Sequence, residues 1–340
     1  MNIKSQDLHY QIEGECGYPH YLRGITLDVG GTKYPEQAVW ARRVLRGWVF
    51  SMHLPSPADQ VRALVERDGK GRFLDRLCDQ IQRPFKEKPV DDDTQKLEPK
   101  KPDDLYLFSG RGKRLMSLLQ DKPRQTLSIV LALDRGFCLL EDPIIEEAEV
   151  INEEEISFDQ FADFMNDGDF SAALIGLTEF AKVLSIDRIS RYSKVNAGRS
   201  EALNSFNPAF PGEYIQDLGE AVVEELSVDM NTVLAEFCKE LKVPIIYSNV
   251  VVEGRDMFHP QSPVQFRSSI TESVNLFKFF ATFSVGHRGL SLLQYARFTA
   301  PLRSVTGLIN LTNLTMFLRG EEPLFSNNDI GRIVNELNRS

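Results

Sequence analysis

The chain has 340 residues, 42% of them hydrophobic and 26% charged, and a formal net charge of −10. This composition suits a globular fold with a large core, and the acidic balance excludes indiscriminate coating of nucleic acid, which relies on Lys and Arg against phosphate. No apolar run approaches the ~18 residues of a membrane span, and residues 1–22 lack the apolar centre of a secretory signal.

In chain order, residues 23–59 read as strands and turns, with a hairpin turn at Arg46-Gly47. Val61, Leu64, Val65, Phe73, Leu74, Leu77 and Ile81 recur at three- and four-residue steps and predict a helix over 57–83. Residues 84–105 are polar, charged and punctuated by Pro, the composition of a surface loop insertion. Strands are expected at 126–133 and 137–151, with the acidic run Glu146 to Glu155 as a solvated strand edge. Helices follow over Phe158 to Met165 and 171–186. Between 215 and 242, Leu218, Val222, Leu226, Val233, Phe237 and Leu241 form one stripe that Pro244 stops. Further helices are predicted over 271–284 and 303–319. Strands and helices mixed along one chain without internal repeats imply an α/β or α+β domain. Cys16, Cys78, Cys138 and Cys238 are scattered, which fits a reducing cytoplasmic setting. Cys16 and His20 lie close together, but no second half of a zinc site follows.

Residues 286–320 hold Arg288, Arg297, Arg303, Arg319 and His287 and no Asp or Glu. In an acidic chain, this asymmetry marks a candidate phosphate-contacting strip. Within it, GLSLLQYARFTAPLR (289–303) resembles the signature of the ribonuclease II (RNB-domain) family, GLGL-x-x-Y-x-x-(F/W)-T-S-P-I-R. TLDVGGTKYPEQAVW (26–40) is similar to that family's T-I-D-x-x-x-x-x-D-x-D-D-A, and VVEELSVDMN (222–231) to its I-V-E-E-x-M-x-x-A-N. The resemblance covers roughly residues 20–335 and implies a single RNB-like domain over 1–340, a mixed and largely antiparallel sheet surrounded by helices, with no cold-shock or S1 domains.

The family hydrolyses RNA from its 3′ end with Mg²⁺ held by aspartates. Here Asp28 takes the first aspartate's place, while Tyr34, Glu36 and Gln37 stand at the other three. A two-ion site needs several anionic oxygens, so Asp28 and Glu36 are a weak metal pair and hydrolysis is expected to be absent or slight. The resemblance assigns Arg303 to the scissile phosphate, with Tyr295, Arg297 and Thr299 along the same RNA path, Glu224 or Glu225 near the terminal ribose, and Phe158 where a tyrosine stacks on a base. Asp229 lies one turn after Glu225 on the same flank. Ala300 replaces the family's serine. Val305, Gly307, Leu311 and Thr312 replace its downstream tyrosine, aspartate, histidine and arginine. The implied partners are single-stranded RNA and a protein. An active metal-dependent exoribonuclease is the alternative. LDVGGTK also resembles the D-x-G-G-T-K opening of actin-like sugar kinases, although no second glycine-rich phosphate turn follows.

Overall fold

A computed structural model describes residues 22–82, 105, 107–166, 170–192, 197–208, 217–252, 276–287, 290 and 292–339. The expected loop over 84–105 lies outside them except for Leu105, as do Cys16, His20, Arg288 and residues 271–275 of one expected helix.

Alternating apolar residues and tight turns build the first unit. Strand β1 (Leu22–Asp28) pairs antiparallel with β2 (Ala38–Val44), which turns through Leu45 and Arg46 into β3 (Gly47–Pro55). The antiparallel order continues with β4 (Pro123–Asp134) and β5 (Ile144–Ser157). β5 then lies parallel to β1, so the sheet closes into a five-stranded barrel. The expected second strand starts later and runs further than 137–151, because residues 135–143 make the turn. The acidic run is an edge over part of its length: Glu146, Glu147 and Glu149 pair with β4 alone, Glu154 and Glu155 with β1 alone, and only Val150 and Ile151 between them pair with both strands. Their side chains meet partners such as Arg23, 3.0 Å from Glu153, and Gln125, 3.4 Å from Glu149. The barrel's interior carries a polar knot. His53, fully buried, is pushed down to about 4 by burial and shares hydrogen bonds with Ser51 and Ser128.

The expected helix over 57–83 is two helices, α1 (Ala58–Asp68) and α2 (Lys70–Gln82), separated at Gly69. A short α3 (Gly110–Met116) precedes β4. After a 3₁₀ turn at Phe158–Gln160 come α4 (Phe161–Asn166), α5 (Ser171–Tyr192), α6 (Ala197–Ser205) and α7 (Leu218–Glu240). One core joins the barrel to α4, α5 and α7 through Phe50, Leu127, Leu177, Phe180, Val222 and Leu226.

Beyond α7, β6 (Tyr247–Val252) pairs antiparallel with β7 (Leu276–Ala281). The helix predicted over 271–284 is therefore a strand across 276–281. LFKFFA is a short aromatic run that alternates between two faces, and pairing with β6 decides its state. Asn338 closes the other edge, accepting from the Phe280 N–H at 2.8 Å and donating to its carbonyl at 2.9 Å.

Helix α8 (Val305–Leu318) is buried from Val305 through Met316, and α9 (Asn327–Leu337) packs with α1 and α2 in a second core. Leu311 and Leu314 of α8 join the first core, while Val305, Leu308 and Ile309 join the second. Two buried asparagines fasten neighbouring chain to this helix. Asn310 accepts from the Ile246 N–H at 2.7 Å and donates to the carbonyls of Ile246 and Arg297, each at 2.9 Å. Asn313 accepts from the Phe325 N–H at 2.9 Å and donates to the carbonyls of Phe325 and Pro244, each at 2.8 Å. Removing such a side chain leaves buried backbone groups unsatisfied. Asn313→Ala is expected to lower unfolding free energy by about 3 kcal/mol, read from the midpoint of urea denaturation at unchanged m-value. A loss below about 0.5 kcal/mol would contradict the role given to this side chain.

Candidate functional site

Three segments meet where the signature enters α8: loop 29–37, one face of α7, and the turn at 299–303. The turn is made by Ala300, whose φ of 55° lies in the left-handed region and whose carbonyl accepts from the N–H groups of Arg303 and Ser304 at 3.0 and 2.9 Å. Ser304 caps α8 by accepting from the Gly307 N–H at 3.0 Å. A Cβ on Gly307 would lie 2.7 Å from the Thr299 carbonyl oxygen, so this backbone path leaves no room for the aspartate of the family pattern. Val305, Leu311 and Thr312 are likewise fully buried, and packing occupies the places of the family's tyrosine, histidine and arginine.

Asn231 holds the turn against α7. Its Oδ1 accepts from the N–H groups of Phe298 at 2.8 Å and Thr299 at 3.3 Å. Its Nδ2 donates to the Tyr295 hydroxyl at 3.2 Å and the Thr299 hydroxyl at 3.3 Å. Asn231 therefore brings the Tyr295 and Thr299 hydroxyls together. Asn231 ends the quoted VVEELSVDMN motif but suggests no chemistry by itself, because a neutral amide acts here by positioning backbone.

Glu36 ties the loop to the turn. It is 2% exposed, accepting from the Leu302 N–H at 2.7 Å through Oε2 and from the Arg303 Nε–H at 2.5 Å through Oε1. Burial raises the Glu36 carboxyl above its ordinary range, against the opposing pull of Arg303, the Leu302 N–H and Lys113. Burial holds the Lys113 ammonium of α3 below its ordinary value; Glu36 pulls it up and Arg303 pushes it down. Lys113 is a site residue that the motifs do not name. Its only sequence signal is the basic run Arg111-Gly112-Lys113-Arg114. The Arg303 side chain is 55% exposed beyond its bond to Glu36.

Asp28 and Glu36 each lie two residues beyond the last β1–β2 pair, Thr26 with Ala38, at the mouth of the loop. Asp28 accepts from the N–H of its neighbour Val29 at 2.8 Å. Gln37 accepts from the Ser227 hydroxyl of α7 at 2.9 Å, and the Tyr34 hydroxyl lies against Gly110 at the start of α3. Among the described residues, no three His, Cys, Asp or Glu side chains gather as a metal-binding group.

The helix period separates Glu224 from Glu225. Glu224, Ser227 and Asn231 share the face turned to the loop and the signature. Glu225, 5% exposed, lies on another flank with Asp229, as its effect on the Asp229 carboxyl also indicates. Phe158 sits further along α7, its ring packed at Gly219 in the first turn, about 18 Å of helix rise from Asn231. It is half-buried against the first core.

The arginine strip divides. Arg303 lies in the site, and Arg297 is exposed in the signature. Arg319 is instead committed to Glu147 at 2.6 Å and Asp59 at 2.6 Å, tying α8 to β5 and α1. His287 is half-buried against Tyr295, pushed down to about 4 by burial and by Lys278, so it adds no cation near neutral pH. Charge counting along a sequence cannot show which arginines already have carboxylate partners.

The RNB domain family profile matches residues 110–320, more than half of the chain. The chain belongs to the RNB domain family. Among solved structures, Mycoplasma genitalium RNase R in complex with double-stranded RNA is similar at a TM-score of 0.64 and 14% identity, covering 100% of this chain and 65% of that one. Yeast Ssd1, described as a pseudonuclease, matches at 0.62 and 15%, covering 100% and 44%. An active-site mutant of the Candida glabrata exoribonuclease Dss1 matches at 0.64 and 15%, covering 94% and 44%. The chain thus spans less than two thirds of the length of these RNB proteins. Nothing matches among curated protein sequences. The fold is the RNB one, not the two-lobed clamp that the D-x-G-G-T-K likeness would require. No helix among the described residues is long and apolar enough to cross a membrane.

Asp229 gives the RNB domain a pH-dependent packing contact. It lines a cavity of about 30 Å³ with Val39, Phe50, Met52, Leu226 and Met230. Its carboxyl is pushed up to about 7 by burial, with Glu225, Glu236 and Asp187 acting in the same direction. A carboxyl raised in the folded state binds its proton more tightly there, so the stability it lends is fully present below its unfolded value and is lost as pH rises through about 7. Asp229→Asn is expected to raise unfolding free energy at pH ~8 by about 2 kcal/mol, a figure discounted for partial solvation, and by less at pH ~5. Equal effects at both pH values in urea titrations would contradict the assignment.

Proposed function

We propose that this chain is an RNB domain that binds the 3′ end of single-stranded RNA through phosphate contacts and hydrolyses it slowly or not at all. The observation that carries the reading is the commitment of Glu36. Mg²⁺ needs several oxygens in near-octahedral array, but both Glu36 oxygens face protein donors and Gln37 accepts from Ser227. Tyr34 and Gln37 bring no charge. The donor set does not fit two ions, and no hydrolytic step is assigned to it.

The same residues suit an anion. The Arg303 guanidinium is oriented by Glu36 through Nε, which leaves its outer nitrogens on the exposed side. A guanidinium can bind phosphate oxygens in two-pronged fashion. Lys113 adds positive potential beside it. Tyr295 and Thr299 fix the turn through Asn231, and Glu224 shares their side of α7. Phe158 offers a ring about 18 Å further along α7, where a base could stack without needing a hydroxyl. The neighbours support the assignment without extending to this chain's activity: RNase R structures hold RNA, and Ssd1 is a pseudonuclease.

Purified protein incubated with end-labelled single-stranded RNA and Mg²⁺ or Mn²⁺ is expected to leave the RNA at full length. Metal-free titration at low salt is expected to show retention, with Arg303→Ala weakening it about tenfold and reducing the salt slope by about one. Stepwise shortening that Asp28→Ala abolishes would establish the exoribonuclease instead. Retention indifferent to Arg303→Ala would remove the phosphate role and leave a protein-interaction module.

A further inference from the structure

The geometry points to a second RNA-contacting surface, a base-stacking row on β7 that takes nucleotides upstream of the 3′ end. It rests on the reading that the domain binds single-stranded RNA. Phe277 and Phe279 share one face of β7, buried Ala281 follows them on it, and Phe283 comes two residues past the end of the strand. Phe277 is 57% exposed and Phe283 55% exposed, while Phe279 is half-buried. The Phe277 and Phe279 rings are near parallel, with centroids 5.9 Å apart. Core packing does not account for these exposed rings. Phe280, on the other face, is the β7 phenylalanine that enters the second core.

Pairing does not account for them either. β6 occupies one edge of β7, and Asn338 closes the other at Phe280. Across β6, the Ser248 N–H donates to the Tyr295 carbonyl at 3.0 Å, so the row lies about two strand spacings, ~10 Å, from the signature. Ser284 donates to the Leu293 carbonyl at 3.2 Å, which brings Leu293, 73% exposed, beside the row's end at Phe283. That bond ties the chain just after β7 to the segment that carries Tyr295 and Arg297.

Charge selects the occupant. Residues 276–303 contain Lys278, Arg288, Arg297 and Arg303 and no Asp or Glu, in a chain with 49 acidic residues. Exposed rings beside acid-free, cation-bearing chain match a single-stranded polyanion with stackable bases. An acidic protein helix would meet the same charge but has no need of a row of rings.

The test compares oligouridylates of about four and about sixteen nucleotides by fluorescence anisotropy at low salt. Phe277→Ala combined with Phe283→Ala is expected to weaken the long RNA about tenfold and leave the short one unchanged, whereas Arg303→Ala weakens both. Tyr at both positions should restore affinity, and Leu should not. All variants are checked by thermal melting, since exposed positions should leave it unchanged. Wild-type affinity in the double alanine variant, or rescue by Leu as good as by Tyr, would overturn the stacking row while leaving the 3′-end site intact. Equal loss for short and long RNA would also overturn it. No retention of either RNA by the wild-type chain would remove both proposals.

Discussion

A carboxylate at 2% exposure has to find its partners inside the protein, and Glu36 finds them in the backbone of Leu302 and the side chain of Arg303. Burying a charge is tolerated only with such pairing, and losing one partner from a buried pair typically costs about 3–5 kcal/mol. The contact joins residues 266 and 267 positions apart in sequence, so it fixes where the barrel's first loop meets the helix that crosses both cores. The orientation of Arg303 depends on it, and so does the use to which the loop can be put. Facing inward, the same carboxyl has both oxygens engaged by protein donors.

The turn it grips is held from two other directions. Asn231 draws Phe298 and Thr299 onto α7, and Asn310 draws the Arg297 carbonyl onto α8. Gly307 lets the two backbones approach closely, and Ala300 takes the left-handed conformation that reverses the chain. Amide side chains with every donor and acceptor used give rigidity without net charge. The phosphate role proposed for Arg303 would gain from that rigidity, because less ordering is needed when a ligand arrives.

Much of this was legible in the sequence, for physical reasons that differ from element to element. The stripe of α7 is periodic, α8 is a long run buried on all sides, and both helices lie where the sequence pattern puts them. The signature's turn is local in sequence, so Tyr295, Thr299 and Arg303 could be placed from the likeness of residues 289–303 to the family signature. The β7 segment could not, since a six-residue aromatic run carries too little period to distinguish strand from helix without its partner β6. Glu146 to Glu155 read as a strand edge and are one in part, but barrel closure through pairing of Val150 to Ser157 with β1, more than a hundred residues away, leaves no mark in that run. Asn231, Ser227 and Lys113 went unnamed because their importance lies in what they touch. The split of the arginine strip, with Arg319 taken up by Asp59 and Glu147, is a tertiary fact of the same kind.

The central claim is that the loop's acidic positions serve the fold and a bound phosphate, not metal ions. Titration of the metal-free chain with Mn²⁺, followed by the electron paramagnetic resonance signal of the free ion, addresses it directly. The account predicts no specific uptake below about 1 mM. One or two ions bound at micromolar concentration, and lost in both Asp28→Ala and Glu36→Gln, would contradict it.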